Sequence, residues 1–339
     1  MTIELEGIYP ATPVVFTDYT CRDVDYEATR AHYRFLLDHG VNGLCVGGHA
    51  GETECLTMEE RLCLIDVARE DAAGSVPVIG GVIADSTWAA IEQVQAQKSR
   101  GADAVLICPP NILGWDADNA DEMLVAHCQA IDREGGLPFL VYGGPGDRSC
   151  CRQLPATLTK VALACANLVA WKIAVRGVSR GENSFTDCVA ALTKSEQITG
   201  RRVAALIAGD ADLLGVLEAG GQGNVNACES IRVEDNTALY AAFRKGDLDT
   251  ARAIQARVAP IPKVIYGMGI GRSFTFFHYR FKIATWMLGR IHNPIMRLPQ
   301  VPPPADEIAV IFDALVAAGK KPVHSAEDFA ALGLAQAAE

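Results

Sequence analysis

Val76-Pro-Val-Ile-Gly-Gly-Val82, the amphipathic stretch Thr87 to Arg100 and Ala104-Val-Leu-Ile-Cys-Pro-Pro110 follow one another in the sequence. Two continuous apolar runs fit strands buried on both faces, and the stretch between them fits a helix that covers the sheet. Such a unit predicts two parallel strands joined by a crossover helix. Working outward, the same alternation yields eight apolar runs in all. The other six are Gly7 to Phe16, Gly43 to Gly48, Pro138 to Gly144, Leu168 to Ala174, Val203 to Gly209 and Gly220 to Ala227. Asp25 to His39 and Thr57 to Ala73 are further amphipathic segments between runs. Eight βα repeats predict an α/β fold, a closed (β/α)8 or TIM barrel, because closure removes the sheet edges and needs no topological switch point.

After the eighth run the pattern turns to helices alone, expected over Glu234 to Lys245, Leu248 to Val258, Ser273 to Leu288 and Ala305 to Ala318. The expected division is a barrel domain over 1–232 and a C-terminal helical extension over 233–339. Leu298-Pro-Gln-Val-Pro-Pro-Pro304 reads as an extended linker, since successive prolines fix φ and remove donors. Ser325-Ala-Glu-Asp328 reads as the capped start of a short tail helix.

The 339 residues are half apolar and carry a net charge of -11. An acidic chain without a basic run is not expected to bind nucleic acid, whose affinity comes from clustered Lys and Arg. No segment approaches the roughly 20 apolar residues of a membrane span, and the start has neither part of a signal peptide, so a cytoplasmic location is expected. The eleven cysteines are scattered, several inside apolar runs such as Gly43-Leu-Cys-Val46, and read as reduced core residues. Cys150-Cys151 and Cys55 lack zinc spacing, so no metal is expected.

In a βα barrel the reacting groups sit where strands end, so polar residues closing apolar runs are the informative ones. Leu168-Val-Ala-Trp-Lys-Ile-Ala174 sets the amine of Lys172 in hydrophobic sequence. Two readings stand for it: a lysine that snorkels to solvent, or one whose pKa falls by desolvation until its neutral amine attacks a ketone. Leu140-Val-Tyr142-Gly-Gly-Pro-Gly146 puts a phenol at the rim before a glycine-proline turn, where it either packs or shuttles protons. Gly47-Gly-His49-Ala-Gly-Glu52 is a glycine-rich turn toward a helix, a plain turn or a cradle of amide N–H groups for a carboxylate or phosphate. Gly267-Met-Gly-Ile-Gly271 follows no barrel run and reads as a loop.

Taken in order, G-x-x-G-E after run two, Y-x-x-P-G after run five and a lysine within run six resemble the dihydrodipicolinate synthase and N-acetylneuraminate lyase family. The likeness extends from about Gly7 to Leu298, with Gly7-Ile-Tyr-Pro-Ala-Thr-Pro13, Gly209-Asp210 and Gly220-Gly-Gln-Gly223 in matching places. The resemblance implies that Lys172 forms an imine with a 2-oxo acid, that Tyr142 relays protons and that the turn holds the carboxylate. It implies a substrate-binding set of Gly48, His49, Ala50, Gly51, Gly209 and Asn226, no cofactor beyond the covalent imine, and a homotetramer built as a dimer of dimers.

This chain departs from the family pattern at the turn, where His49 and Ala50 replace the usual hydroxyl residues. The His49 imidazole is therefore a candidate catalytic group, titrating near neutrality. Asn111 or Ile112 stands where a synthase places an interface tyrosine, and Asp147 where it places an arginine, with Arg148 one residue on. Gly143 and Gly144 are expected to leave the rim open for a larger or hydroxylated acceptor. The expected activity is a class I aldolase acting on pyruvate or a pyruvate-derived 2-oxo acid, with an aldehyde partner. Its rivals are a 2-oxo-3-deoxy sugar acid dehydratase, a dihydrodipicolinate synthase, and a silent barrel that binds a 2-oxo acid without turnover.

Overall fold

A computed structural model describes residues 3–115, 118–144, 153–175, 178, 183–209, 212–267 and 277–333. Eight strands are found among them: β1 (Gly7–Pro10), β2 (Leu44–Val46), β3 (Val78–Ile83), β4 (Ala104–Cys108), β5 (Phe139–Gly143), β6 (Leu168–Ile173), β7 (Ala204–Ile207) and β8 (Gly223–Asn226). Each lies inside one of the eight apolar runs. All pairings are parallel, in the order β1-β8-β7-β6-β5-β4-β3-β2, and a parallel bridge from Ala11 to Cys45 joins β1 to β2. The sheet thus curls into the expected (β/α)8 barrel.

Around it run α1 (Tyr26–Asp38), α2 (Met58–Ala72), α3 (Thr87–Ser99), α4 (Ala120–Glu134), α5 (Pro155–Ala164), α6 (Phe185–Thr199), α7 (Leu213–Glu218) and α8 (Glu229–Arg244). Their starts follow from capping: Asp25 caps α1, Thr57 and Glu60 form a reciprocal box on α2, and Ser86 caps α3. The C-terminal helices are α9 (Leu248–Val258), α10 (Pro260–Ile265), α11 (Phe277–Met287), α12 (Ala305–Ala317) and α13 (Ala326–Ala331). Ser325 and Asp328 cap α13 as the sequence predicts. Two differences stand out. α8 begins five residues before the expected Glu234, with a non-helical Arg232 inside it. α10 was hidden by its prolines, the first of which sits at the start of the helix, where a missing N–H costs nothing.

Strand residues alternate between two cores. Leu106, Leu140, Ala170 and Leu206 fill the barrel, whereas Val105, Val141, Trp171 and Ile173 pack outward under the helices. Lys172 and Tyr142 share the parity of Ala170 and Leu140, so their side chains belong to the barrel interior at the C-terminal mouth.

His32 and His127 sit in the protein interior and are held neutral. His32 bonds Ser230 Oγ at 3.0 Å and His127 bonds Thr87 Oγ1 at 2.9 Å. Burial pushes their pKa values down to about 3 and about 4. The unfolded chain therefore takes up protons below about pH 6.5 while the native state does not. The stability these groups contribute is complete above that pH and is lost as pH falls toward 4. Denaturant midpoints between pH 7 and pH 4.5 should fall, and a His127→Gln variant should show a shallower decline. A midpoint that is flat with pH would contradict this.

Candidate active site

Lys172 lies on β6 between Tyr142 of β5 and Leu206 of β7, its register partners on either side. Its Nζ is 5.2 Å from the centre of the Tyr142 ring. Burial in the barrel lowers the pKa of the amine, which only nearby Cys45 and Cys108 oppose. A desolvated ammonium without a carboxylate among these causes favours its neutral, nucleophilic form.

The turn after β2 packs against β3 through an intimate backbone contact. A Cβ on Gly81 would come within 1.9 Å of the Gly47 carbonyl oxygen, so only glycine lets the turn lie there. His49 to Gly51 form one 3-10 turn, closed by Gly51 N–H to Gly48 O and Glu52 N–H to His49 O. The first N–H groups of such a turn point away from its own acceptors. Ala50 and Gly51 are buried, and Glu52 ends the turn in the left-handed region at φ 57°.

Glu52 is wholly buried and its carboxylate meets Lys282 Nζ of α11 at 2.6 Å, itself wholly buried. The same Nζ donates to Ile295 O at 2.7 Å, and Arg297 N–H donates to Glu52 Oε2 at 2.7 Å. The C-terminal helices therefore pin the turn from behind.

The His49 ring stands 5.5 Å from the Tyr142 ring, centre to centre. Its Nδ1 is 3.5 Å from Cys108 Sγ and its Nε2 3.3 Å from Glu54 Oε1. His278, from α11, stacks on His49 at 6.2 Å with an interplanar angle of 3°. Burial first, then repulsion from His49 and Lys172 whenever these are protonated, pushes the His278 pKa down to about 3. Beside these rings opens a cavity of about 240 Å³ whose wall includes His49, Glu54, Asp85, Cys108, Asn111 and Tyr142.

The structure thus brings Lys172, Tyr142 and His49 together at one mouth, with Gly48, Ala50 and Gly51 in the adjoining turn. Gly209 lies just past the end of β7 on the same rim. Asn226 closes β8, its Oδ1 accepting from Tyr266 OH at 3.0 Å and from Cys228 N–H at 3.0 Å. Its Nδ2 is buried and finds no hydrogen-bond partner among the described residues. Asn111 and Ile112 are both exposed, and Asn111 lines the cavity. The expected openness at Gly143 and Gly144 is corrected: a Cβ there would meet Gln153 Oε1 at 1.7 Å or Ala174 O at 2.6 Å. That space is already filled. Pro145, Gly146, Asp147, Arg148, Cys150, Cys151, Asp210 and the stretch 268–276 lie outside the described residues.

Glu54, Cys108, His278 and Lys282 were not anticipated. Cys108 and Glu54 carried a signal, standing at the end of an apolar run and just after the glycine turn. His278 and Lys282 carried none, because only tertiary packing brings α11 to the mouth. Among the described residues no group of three or more His, Cys, Asp or Glu is placed to hold a metal ion. No helix among them is long and apolar enough to cross a membrane.

The sequence model of the dihydrodipicolinate synthetase family matches residues 4–314. A 4-hydroxy-tetrahydrodipicolinate synthase of Halorhodospira halophila is 31% identical over 255 residues, covering 75% of this chain and 79% of that one. One of Nitratidesulfovibrio vulgaris is 27% identical over 317 residues, covering 94% and 99%. In fold, the chain is similar to YagE of E. coli K12, a prophage protein of the dihydrodipicolinic acid synthase family solved in complex with pyruvate. The TM-score is 0.81 at 22% identity, over 94% of this chain and 99% of that one.

Proposed function

The chain belongs to the dihydrodipicolinate synthetase family, and on that premise we propose that Lys172 is the imine-forming nucleophile of its active site. The protein is a lyase of the class I aldolase type, as the family is. The observation that carries the assignment of Lys172 is its place: an interior barrel amine with a lowered pKa, in register with a phenol on the neighbouring strand.

In this reading the neutral Lys172 amine adds to the ketone of pyruvate or a pyruvate-derived 2-oxo acid, and loss of water gives a protonated imine. That cation draws electrons from the neighbouring carbon, so a proton leaves or a C–C bond breaks to an enamine. Tyr142 gives and takes the proton at the reacting oxygen. The Gly48–Gly51 turn receives the carboxylate, with Gly209 and Asn226 completing the substrate wall. His49 stands beside the phenol in place of the family's hydroxyl residues and passes protons to it. A His49→Ala variant should lose about 100-fold in turnover, within the range of a general acid–base group, while still forming the imine. Unchanged turnover would remove His49 from the mechanism.

The acceptor is read from the cavity wall. Glu54 and Asp85 place negative charge there, which opposes a second carboxylate. An uncharged hydroxylated aldehyde fits better than the carboxylated aldehyde of a dihydrodipicolinate synthase. The rival dehydration of a 3-deoxy-2-oxo sugar acid uses the same imine, and product analysis separates the two. An aldolase releases pyruvate and an aldehyde, whereas a dehydratase keeps the carbon skeleton and loses water. Residues 1–232 act as the catalytic barrel and 233–339 as an extension that braces the turn. A cytoplasmic dimer of dimers completes the reading, and sedimentation tests the tetramer.

A further inference from the structure

Cys108 closes β4 in the wall of the acceptor cavity, and the imine chemistry makes no use of it. Its thiol is 3.5 Å from His49 Nδ1, and the other nitrogen of that ring is 3.3 Å from Glu54 Oε1. A carboxylate at Nε2 holds the ring proton on that side, which leaves the Nδ1 lone pair facing the thiol. Carboxylate, imidazole and thiol in this sequence form the arrangement that turns a cysteine into a nucleophile. The amine of Lys172, close enough for its charge to be felt by Cys108, adds positive potential whenever it is protonated.

No other described cysteine has these surroundings. Burial raises the thiols of Cys45 to about 11, and of Cys165 and Cys188 to about 12. Cys63, on α2, is partly exposed, and burial and the carboxylates of Glu59 and Asp66 raise its thiol. Cys108 differs from all of them in having both a base and an entrance.

We propose that Cys108 is an activated thiol and a covalent modification site for small soft electrophiles that enter the cavity. The thiol gives its proton to His49 Nδ1 and the sulfur attacks carbon. With a haloacetamide the S–C bond forms as the C–I bond breaks, iodide leaves, and the imidazolium returns its proton to water. The adduct then occupies the space assigned to the acceptor.

The test treats the full chain with iodoacetamide at neutral pH, without pyruvate, and follows each cysteine by peptide mass mapping over time. Cys108 should be alkylated at least about tenfold faster than Cys63. His49→Asn and Glu54→Gln should each slow Cys108 about tenfold while leaving Cys63 at its wild-type rate. Cys128 and Cys165, packed in the apolar core beneath the helices and away from the cavity, should stay unlabelled in every variant, which reports an intact fold. Alkylation of Cys108 no faster than Cys63, or a Cys108 rate indifferent to His49→Asn in a folded variant, overturns the proposal. Because no pyruvate is present, neither outcome depends on Lys172 forming an imine.

Discussion

Lys172→Ala is expected to lower kcat/KM by at least about 1,000-fold and to leave the protein folded, because loss of a covalent nucleophile removes the pathway and not merely a contact. The amine contributes little to the fold. Desolvation already disfavours its charged form, so truncation removes a burial cost together with some packing of the side chain's stem. The neighbouring interior residue, Ala170, shows that a methyl group is accommodated in this strand face. Circular dichroism and a denaturant titration close to wild type, beside abolished turnover, are the expected pair of results. Retention of more than a few per cent of kcat/KM would give the chemistry to another group.

The second large effect is one of stability. Lys282→Met should destabilise the protein by about 3 to 5 kcal/mol, the cost of leaving one member of a buried ion pair without its partner. Both side chains are completely buried, and the Lys282 ammonium lies 2.6 Å from Glu52, 2.7 Å from Ile295 O and 4.6 Å from the centre of the Phe16 ring. Removing it strands the Glu52 carboxylate with the Arg297 amide as its remaining hydrogen-bond donor among those that hold it. Adding Glu52→Gln should recover part of the loss, since it removes the stranded charge. Urea midpoints of the two single variants and the double variant measure this. Additive losses would show that the two groups do not interact. Glu52 also ends the glycine turn, so the KM for the 2-oxo acid should rise in Lys282→Met more than kcat falls.

The barrel and its nucleophile were legible because both depend on short-range pattern. Apolar runs alternating with amphipathic stretches named all eight strands, and the search for polar residues closing such runs singled out Tyr142 and Lys172. Groups that reach the site by long-range packing were not legible. Lys282 meets Glu52 across 230 positions of sequence, and nothing in the apolar stretch around it marks a buried cation. His278 arrives on the same helix. The misreading at Gly143 and Gly144 has the same origin: a glycine pair signals the absence of side chains, but not that Gln153 fills the space. Glu54 was passed over because a carboxylate after a turn is usually solvated, and only the fold turns it toward His49.

Borohydride reduction in the presence of pyruvate, followed by peptide mass mapping, tests the central claim most directly. The account predicts one reduced pyruvyl adduct, on the β6 peptide that contains Lys172, absent from Lys172→Ala and retained in His49→Ala. An adduct on a different lysine, or none in a folded protein saturated with pyruvate, would contradict it.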